Sequence, residues 1–181
     1  MTRILGIDPG IHGGLAIIRS DDGATPQLVD AIDVPVVGTG AKERVNVLLI
    51  QEWLLQHGPT FAFIERGQAL PRQGASSGFK YGRSVGSLEA AVSLCGIALE
   101  IVEPSMWKRF FRLPGKDKEA ARQKAIALFP TAHQLFARKK DHQKSEAALI
   151  ALYGLRTSQP TIKTYDETPV AFEITAAESA T

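Results

Sequence analysis

The sequence has little cysteine, no long hydrophobic run and almost no net charge. Its 181 residues include one cysteine, Cys95, which excludes a disulfide framework within the chain and fits a reducing compartment. No run of about 18 apolar residues is present, so we expect no membrane-spanning helix. The first residues lack the pattern of a secretory signal peptide. We therefore expect a cytoplasmic protein without a membrane partner.

The composition is that of an ordinary globular protein. Apolar residues make up 44% of the chain and charged residues 22%, and this length suits one domain with a sizeable core. Residues 1–156 carry periodic apolar patterns and are expected to form that domain. Residues 157–181 are polar and aperiodic, and we expect them to form a mobile tail.

The small net charge of +2 is unevenly distributed. Residues 103–146 contain eleven Lys and Arg against five Asp and Glu. A basic region of this kind indicates an anionic partner. A solvated helical face has the same composition, so charge alone leaves both interpretations open.

Hydrophobic patterns predict an α/β protein with a mixed sheet. Two early hairpins predict antiparallel strands, whereas later strands separated by helices predict parallel ones, with helices on both faces. The predicted strands are 3–8, 15–18, 28–34, 60–65 and 98–102, and the predicted helices are 42–57, 82–94, 105–111, 116–129 and 141–155.

Two acidic residues end predicted strands. Asp8 closes the first strand and is followed by Pro9, which favours extended backbone at Asp8, and Glu65 closes the fourth strand. If these strands are parallel neighbours, both carboxylates lie in the crevice where open α/β sheets bind ligands. A divalent cation would offset the repulsion between them. Each residue alone has a simpler interpretation as a turn or a cap.

The last predicted helix offers a further acidic residue, Glu146, one turn before its apolar stripe. Asp141 lies five residues earlier, about 140° around an ideal helix, so the two do not share a face by geometry alone. Asp141 also suits a helix N-cap. His142 lies four residues before Glu146 and therefore on its face. Asp141 and His142 thus remain alternative ligands beside Glu146.

Four segments in a fixed order carry a family resemblance. They read ILGIDPGIHGGLAII, FAFIERGQA, VEPSMWKRFFRLPGKDKEAARQKAIALFP and KKDHQKSEAALIALYG, and they span residues 4–156. They resemble the RuvC family of Holliday junction resolvases, and more closely the compact RuvC-like endonucleases of phages and prophages. The opening IDPG is moderately specific by itself, and the ordered set is much more so.

The resemblance implies a ribonuclease H-like fold with a five-stranded mixed sheet, in a bacterial or phage-infected cell. It implies a homodimer that cuts four-way DNA junctions with Mg²⁺, or Mn²⁺ in its place, and two ions per site. A branch-migration motor as partner is left open. The implied catalytic and metal-binding residues are Asp8, Glu65, Asp141 and Glu146. Many members have two aspartates three residues apart, but this chain has Gln143 three residues before Glu146.

Cations outside the acidic crevice would have to bind the DNA backbone. The loop 66–81 after Glu65 is expected to become ordered on DNA, with Phe79 and Tyr81 either stacking on bases or packing on the next helix. The small residues of helix 82–94 predict a dimer interface, although an internal core helix fits the same pattern. The candidate DNA-binding residues are Lys80, Arg83, Lys108, Lys116, Lys118 and Lys140.

Three other functions compete with junction cleavage. GIDPGIHGG is like the first phosphate loop of actin and sugar-kinase ATPases, but that architecture needs two domains and this chain is too short for both. A different ribonuclease H-like nuclease, acting on flaps, branched DNA or RNA–DNA hybrids, would use the same acidic residues. A junction-binding protein without activity would lack one of the carboxylates.

Overall fold

The computed structural model describes residues 1–21, 23–68, 74–113, 115 and 118–157. The described strands are β1 (Thr2–Asp8), β2 (Gly14–Ser20), β3 (Gln27–Asp33), β4 (Val36–Val37), β5 (Arg44–Val45), β6 (Phe61–Glu65) and β7 (Ala98–Val102). The described α-helices are α1 (Val47–His57), α2 (Ala75–Leu94), α3 (Pro104–Phe110), α4 (Lys118–Leu128) and α5 (His142–Thr157). Short 3-10 helices span Gly40–Lys42, Pro130–Phe136 and Lys139–Asp141.

The central sheet has the strand order β3-β2-β1-β6-β7. Strands β1, β2 and β3 pair antiparallel, whereas β1 with β6 and β6 with β7 pair parallel. The predicted mixed sheet is therefore confirmed. Ile7 pairs with Ile64, so Asp8 and Glu65, the next residue of each strand, lie at the same end of neighbouring strands.

Alternate residues along the central strands supply two hydrophobic cores, one on each face of the sheet. One face packs Phe63 against Trp107 and the apolar stripes of α4 and α5. The other face packs Leu5 against Leu88 and the buried residues of α1 and α2. Helices cover both faces, as the sequence predicts.

Helix α5 lies unusually close to the sheet because two strand residues have no side chain. A Cβ atom on Gly6 of β1 would collide with the backbone of Ala147, and one on Gly14 of β2 would collide with the backbone of Gln143. The N-terminal half of α5 is thereby held directly above the two strands that flank the turn after Asp8. This close approach positions Glu146 relative to the sheet.

Helix α2 begins at Ala75, seven residues before the predicted start at residue 82. Several Gly, Ser and Gln residues in the segment 66–78 gave the loop prediction, since glycine has low helix propensity. Packing of the later turns nevertheless stabilises the whole helix. The prediction of a loop over 66–81 is therefore wrong from Ala75 onward. Phe79 and Tyr81 lie on the helix, Phe79 exposed and Tyr81 half-buried. Residues 69–73 lie outside the described residues.

Part of the surface predicted as a dimer interface is used inside the subunit. Leu88, Ala91 and Val92 of α2 are buried in the core beneath the helix. Gly86 and Ala90 face outward on the same helix. The prediction of a dimer therefore depends on this remaining outer face.

Other boundaries also differ from the predicted ones, including those of α1 and α5. The predicted helix 42–57 begins at Val47, because β4 and β5 form a small two-stranded sheet before it and the Asn46 side chain caps its first turn. Helix α5 extends to Thr157, the first residue of the predicted tail 157–181, and residues 158–181 lie outside the described residues. Within the described part of the chain, no helix combines the length and apolar character needed to cross a membrane.

Candidate active site

Three carboxyl groups approach one another at the carboxyl ends of β1 and β6. Burial raises the pKa of Asp8 well above its usual range, and the negative charges of Glu146 and Glu65 raise it further. Burial also raises the pKa of Glu65, and the charge of Glu146 adds to it. Burial raises the pKa of Glu146 as well. The convergence predicted for Asp8 and Glu65 therefore includes Glu146 from the first turns of α5.

Trp107 fixes the orientation of Glu65. Its indole Nε1–H donates a hydrogen bond of 2.6 Å to Glu65 Oε2, and the Trp107 side chain is fully buried. This bond stabilises the charged carboxylate and opposes the effect of burial on the pKa of Glu65. The sequence analysis missed this role. A tryptophan directly before Lys108 on a short helix was the available signal, because a buried indole N–H needs an acceptor.

Two lysines lie near the carboxylates and partly compensate their charge. Lys108 lowers the pKa of Asp8, Glu65 and Glu146, and Lys118 lowers that of Asp8 and Glu146. Lys108 Nζ also lies 5.0 Å from the centroid of the Trp107 ring. Positive charge is thus supplied by α3 and by the first residue of α4.

A cavity of about 330 Å³ opens beside Asp8 and Glu146. Lys118 and His142 meet at its wall, with Lys118 Nζ 3.1 Å from His142 Nε2. His142 Nδ1 lies 3.2 Å from the Lys139 carbonyl oxygen. If Nδ1 carries the proton and donates to that carbonyl, Nε2 is left as the acceptor for Lys118.

The sequence analysis missed two further residues that line this cavity, His12 and Gln143. Tyr81, considered there only as a stacking group, also lines it. Burial, followed by the charges of Asp8 and Glu65, raises the pKa of Tyr81 to about 12. His12 lies in the turn directly after Asp8, and that proximity in sequence was the signal available for it.

Asp141 is not brought to the other three carboxylates. Its side chain is 1% exposed and accepts hydrogen bonds from the Arg138 backbone N–H at 2.8 Å and from Arg138 Nη2 at 2.7 Å. Lys144 Nζ lies 3.1 Å from the same carboxylate. Burial by itself raises the pKa of Asp141, but these bonds outweigh it and hold the pKa well below its usual range. Asp141 does not line the cavity.

The other predicted DNA-binding residues lie at several places. Lys80 is exposed on α2, and Lys140 is exposed on the 3-10 helix before α5. Arg83 Nη2 donates to the Glu43 carbonyl oxygen at 3.2 Å. Lys116 lies outside the described residues. Among the described members of the predicted set, Lys108 and Lys118 are the ones that lie beside the carboxylates.

The donor chemistry of this end of the sheet fits a hard divalent cation. Among the described residues, no group of three or more His, Cys, Asp and Glu side chains is arranged as a preformed metal centre. Carboxylate oxygens are nevertheless the ligands that Mg²⁺ prefers. Among the described residues, no cation forms a direct ion pair with Asp8, Glu65 or Glu146. Asp141, in contrast, is paired with Arg138 and Lys144.

The strand order and strand directions define a ribonuclease H-like fold. Solved structures with this fold include Thermus thermophilus RuvC in complex with a Holliday junction substrate. It aligns with a TM-score of 0.63 and 20% identity, over 86% of this chain and 96% of that one. A second Thermus thermophilus RuvC structure aligns with a TM-score of 0.58 and 17% identity, over 86% and 96% of the two chains.

Resolvases from yeast mitochondria and from a virus have the same fold. The yeast mitochondrial Holliday junction resolvase Ydc2 aligns with a TM-score of 0.53 and 14% identity, over 86% of this chain and 79% of that one. Fowlpox virus resolvase, in complex with its junction DNA, aligns with a TM-score of 0.53 and 13% identity, over 86% and 97%. No family model and no curated protein sequence matches this chain. These likenesses establish the fold.

The raised carboxyl pKa values predict that Asp8→Asn stabilises the metal-free protein at neutral pH. A carboxyl whose pKa is higher in the folded state favours folding in acid, and this benefit is lost as the pH rises through the raised value. We expect the variant to melt about 2–4 °C higher, which corresponds to about 1 kcal/mol in a domain of this size.

The measurement is thermal denaturation in EDTA across neutral and mildly acidic pH. The stability of the wild type should fall more steeply than that of Asp8→Asn as the pH rises. Glu52→Gln, which removes an exposed carboxylate of α1, is the matched control and should follow the wild type. A variant that melts below the wild type at neutral pH would contradict the proposed repulsion.

The contacts of Asp141 predict that Asp141→Asn destabilises the protein by about 3 kcal/mol, because one partner of a buried ion pair is removed. Because the pKa of Asp141 is lowered in the folded protein, its contribution to stability is fully present at pH values above the usual carboxyl pKa. The contribution is lost as the pH falls through the lowered pKa. Urea denaturation at neutral and acid pH measures it.

Glu119→Gln provides the control, because Glu119 forms an ion pair with Arg122 at the same spacing but is about half exposed. Its loss should change the stability little, because exposed ion pairs contribute weakly to folding. Equal stability of Asp141→Asn and the wild type at neutral pH would show that the Arg138 and Lys144 contacts do not anchor the start of α5.

Proposed function

We propose that this chain is an endonuclease that resolves four-way DNA junctions by metal-dependent phosphodiester hydrolysis. The observation that carries the proposal is the convergence of three half-buried carboxylates, Asp8, Glu65 and Glu146, at the carboxyl ends of parallel strands. Among the described residues, none of the three forms a direct ion pair. The fold shared with several junction resolvases supports the choice of substrate.

In this proposal Asp8, Glu65 and Glu146 hold the metal. Charged carboxylates repel one another, so their side chains are expected to stand apart until a cation compensates them. Mg²⁺ is the expected ion, Mn²⁺ is a substitute, and the family resemblance implies two ions per site. When bound, such ions polarise the scissile phosphate and make a water molecule more nucleophilic. Asp141 belongs to the predicted set by resemblance, but its contacts favour a structural role.

The remaining residues of the site have roles that follow from their contacts. The hydrogen bond from Trp107 holds the Glu65 carboxylate in one orientation, so the carboxylate would not have to reorient when the metal binds. Lys108 and Lys118 would attract the DNA phosphate and balance the carboxylate charge. Lys118 is already hydrogen-bonded to His142, which limits the positions that its ammonium group occupies beside the cavity.

Selectivity for a junction would come from shape rather than from base contacts. Lysine contacts to the DNA phosphate backbone carry little information about the base sequence. Two sites at a fixed spacing would recognise a branched substrate, so the proposal includes a homodimer that cuts two strands. The outward face of α2 around Gly86 and Ala90 would allow another helix to approach closely. Lys80 and Arg83 on the same helix would lie near the DNA.

The direct test compares the wild type with Asp8→Asn and Glu65→Gln on a synthetic four-way junction in Mg²⁺. We expect each variant to lose at least about a hundredfold in cleavage rate, because several kcal/mol of transition-state stabilisation depend on the metal. Labelled strands measure the rate and reveal whether paired cuts are made.

Glu52→Gln serves as the charge-matched control and should cleave like the wild type. A linear duplex and an RNA–DNA hybrid of the same sequence should be cut far more slowly than the junction. Faster cleavage of the hybrid than of the junction would show that the proposed substrate is wrong. The proposed metal-dependent hydrolysis would still hold. Undiminished junction cleavage by both acidic variants would refute the chemistry.

A further inference from the structure

The Tyr81 side chain lies between the two turns that follow the carboxylate-bearing strands. A Cβ atom built on Gly10, in the turn after β1, would lie 3.5 Å from Tyr81 Cε2 and 3.8 Å from Cδ2. A Cβ atom built on Gly67, after β6, would lie 3.1 Å from Tyr81 Cε1 and 3.4 Å from the hydroxyl oxygen. Opposite edges of one ring therefore face opposite turns.

The two turns leave room for the ring because both contact positions are glycine. Gly10 has a φ of 132°, a conformation that side chains rarely adopt. Gly67 has an ordinary φ, but a Cβ atom there would also lie 3.1 Å from Val85 Cγ2, one turn after Tyr81 on α2. The space at Gly67 is thus closed by α2, whereas Cβ atoms on Gly78 and Gly82 of the same helix would meet no atom within 4 Å.

We propose that Tyr81 is a positioning residue whose ring, inserted between the Gly10 and Gly67 turns, sets the separation of Asp8 and Glu65. The inference deepens the proposed function, on which it rests, because it assigns the spacing of the metal-binding carboxylates to a residue of α2. Asp8 lies two residues before Gly10, and Glu65 lies two residues before Gly67. A ring that contacts both turns therefore acts within two residues of each carboxylate.

The electrostatics of the site explain why such a spacer is needed. Asp8 and Glu65 are half-buried and repel each other, which favours any movement that separates them. The ring blocks movement of the two turns toward each other, and movement of either turn away from the ring would lose packing contacts with it. The high pKa of Tyr81, about 12, indicates that its hydroxyl stays neutral beside them.

The test measures Mn²⁺ binding to the full chain by calorimetry at neutral pH, without DNA, beside junction cleavage in Mg²⁺. We expect Tyr81→Ala to bind Mn²⁺ about tenfold more weakly or worse, as is typical when a residue that orients metal ligands is lost. Tyr81→Phe retains the ring and should restore most of the affinity. The Tyr153→Ala control removes a half-buried tyrosine of α5 that packs on Phe110, and should bind Mn²⁺ like the wild type.

A second variant approaches the same contact from the other side. Gly67→Ala introduces a Cβ atom against the Tyr81 ring and should weaken Mn²⁺ binding in the wild-type background. In the Tyr81→Ala background the same substitution should cost much less, because the ring that it displaces is gone. Gly82→Ala on the open side of α2 should leave the affinity unchanged.

The possible results separate the two proposals. No Mn²⁺ binding and no junction cleavage by the wild type would refute the proposed function. Binding and cleavage by the wild type, with the same Mn²⁺ affinity in Tyr81→Ala, would refute the positioning role alone. If Tyr81→Ala does not fold, Gly67→Ala decides the question, and an unchanged Mn²⁺ affinity in that variant would overturn the inference.

Discussion

Three carboxyl groups that repel one another are kept together at one end of the sheet. The parallel register of β1 and β6 places Asp8 beside Glu65. Because backbone pairing holds the two strand ends together, rotation of the side chains does not separate them. The third group, Glu146, is held there by the close packing of α5 on Gly6 and Gly14. Burial of charge is costly, so this arrangement lowers the stability of the metal-free protein.

Packing in the rest of the fold offsets the destabilising effect of these carboxylates. Two hydrophobic cores enclose the sheet, and the helices that contribute to them also carry the groups around the carboxylates. Trp107 fills one core and donates to Glu65, and Tyr81 extends from the helix that covers the other. Structural and functional contacts are therefore made by the same elements.

Asp141 and Glu146 show how two acidic residues at the start of one helix acquire different roles. Asp141 lies on the 3-10 helix before α5, where Arg138 and Lys144 neutralise it. Glu146 lies one turn inside α5 and faces Asp8, without a direct ion pair among the described residues. A carboxylate held by two cations has its charge already compensated. A carboxylate without a direct ion pair keeps its oxygens available to a cation, which is the role proposed for Glu146.

Much of the fold and part of the site could be predicted from the sequence. The apolar runs before Asp8 and Glu65, and the helix between them, were enough to predict parallel strands and the convergence of those two residues. The start of α2 could not be predicted, because its glycines mask a helix that tertiary packing stabilises. The contacts of Trp107 and Tyr81 were also missed, since they depend on how helices distant in sequence pack against the strand ends.

The most direct test of the central claim is the anomalous scattering of Mn²⁺ in crystals of the wild-type protein grown or soaked with that ion. We expect the anomalous density to lie among Asp8, Glu65 and Glu146, with Asp141 still bound to Arg138 and Lys144. Density at Asp141, or a fully occupied ion elsewhere with the three carboxylates left uncoordinated, would contradict the account.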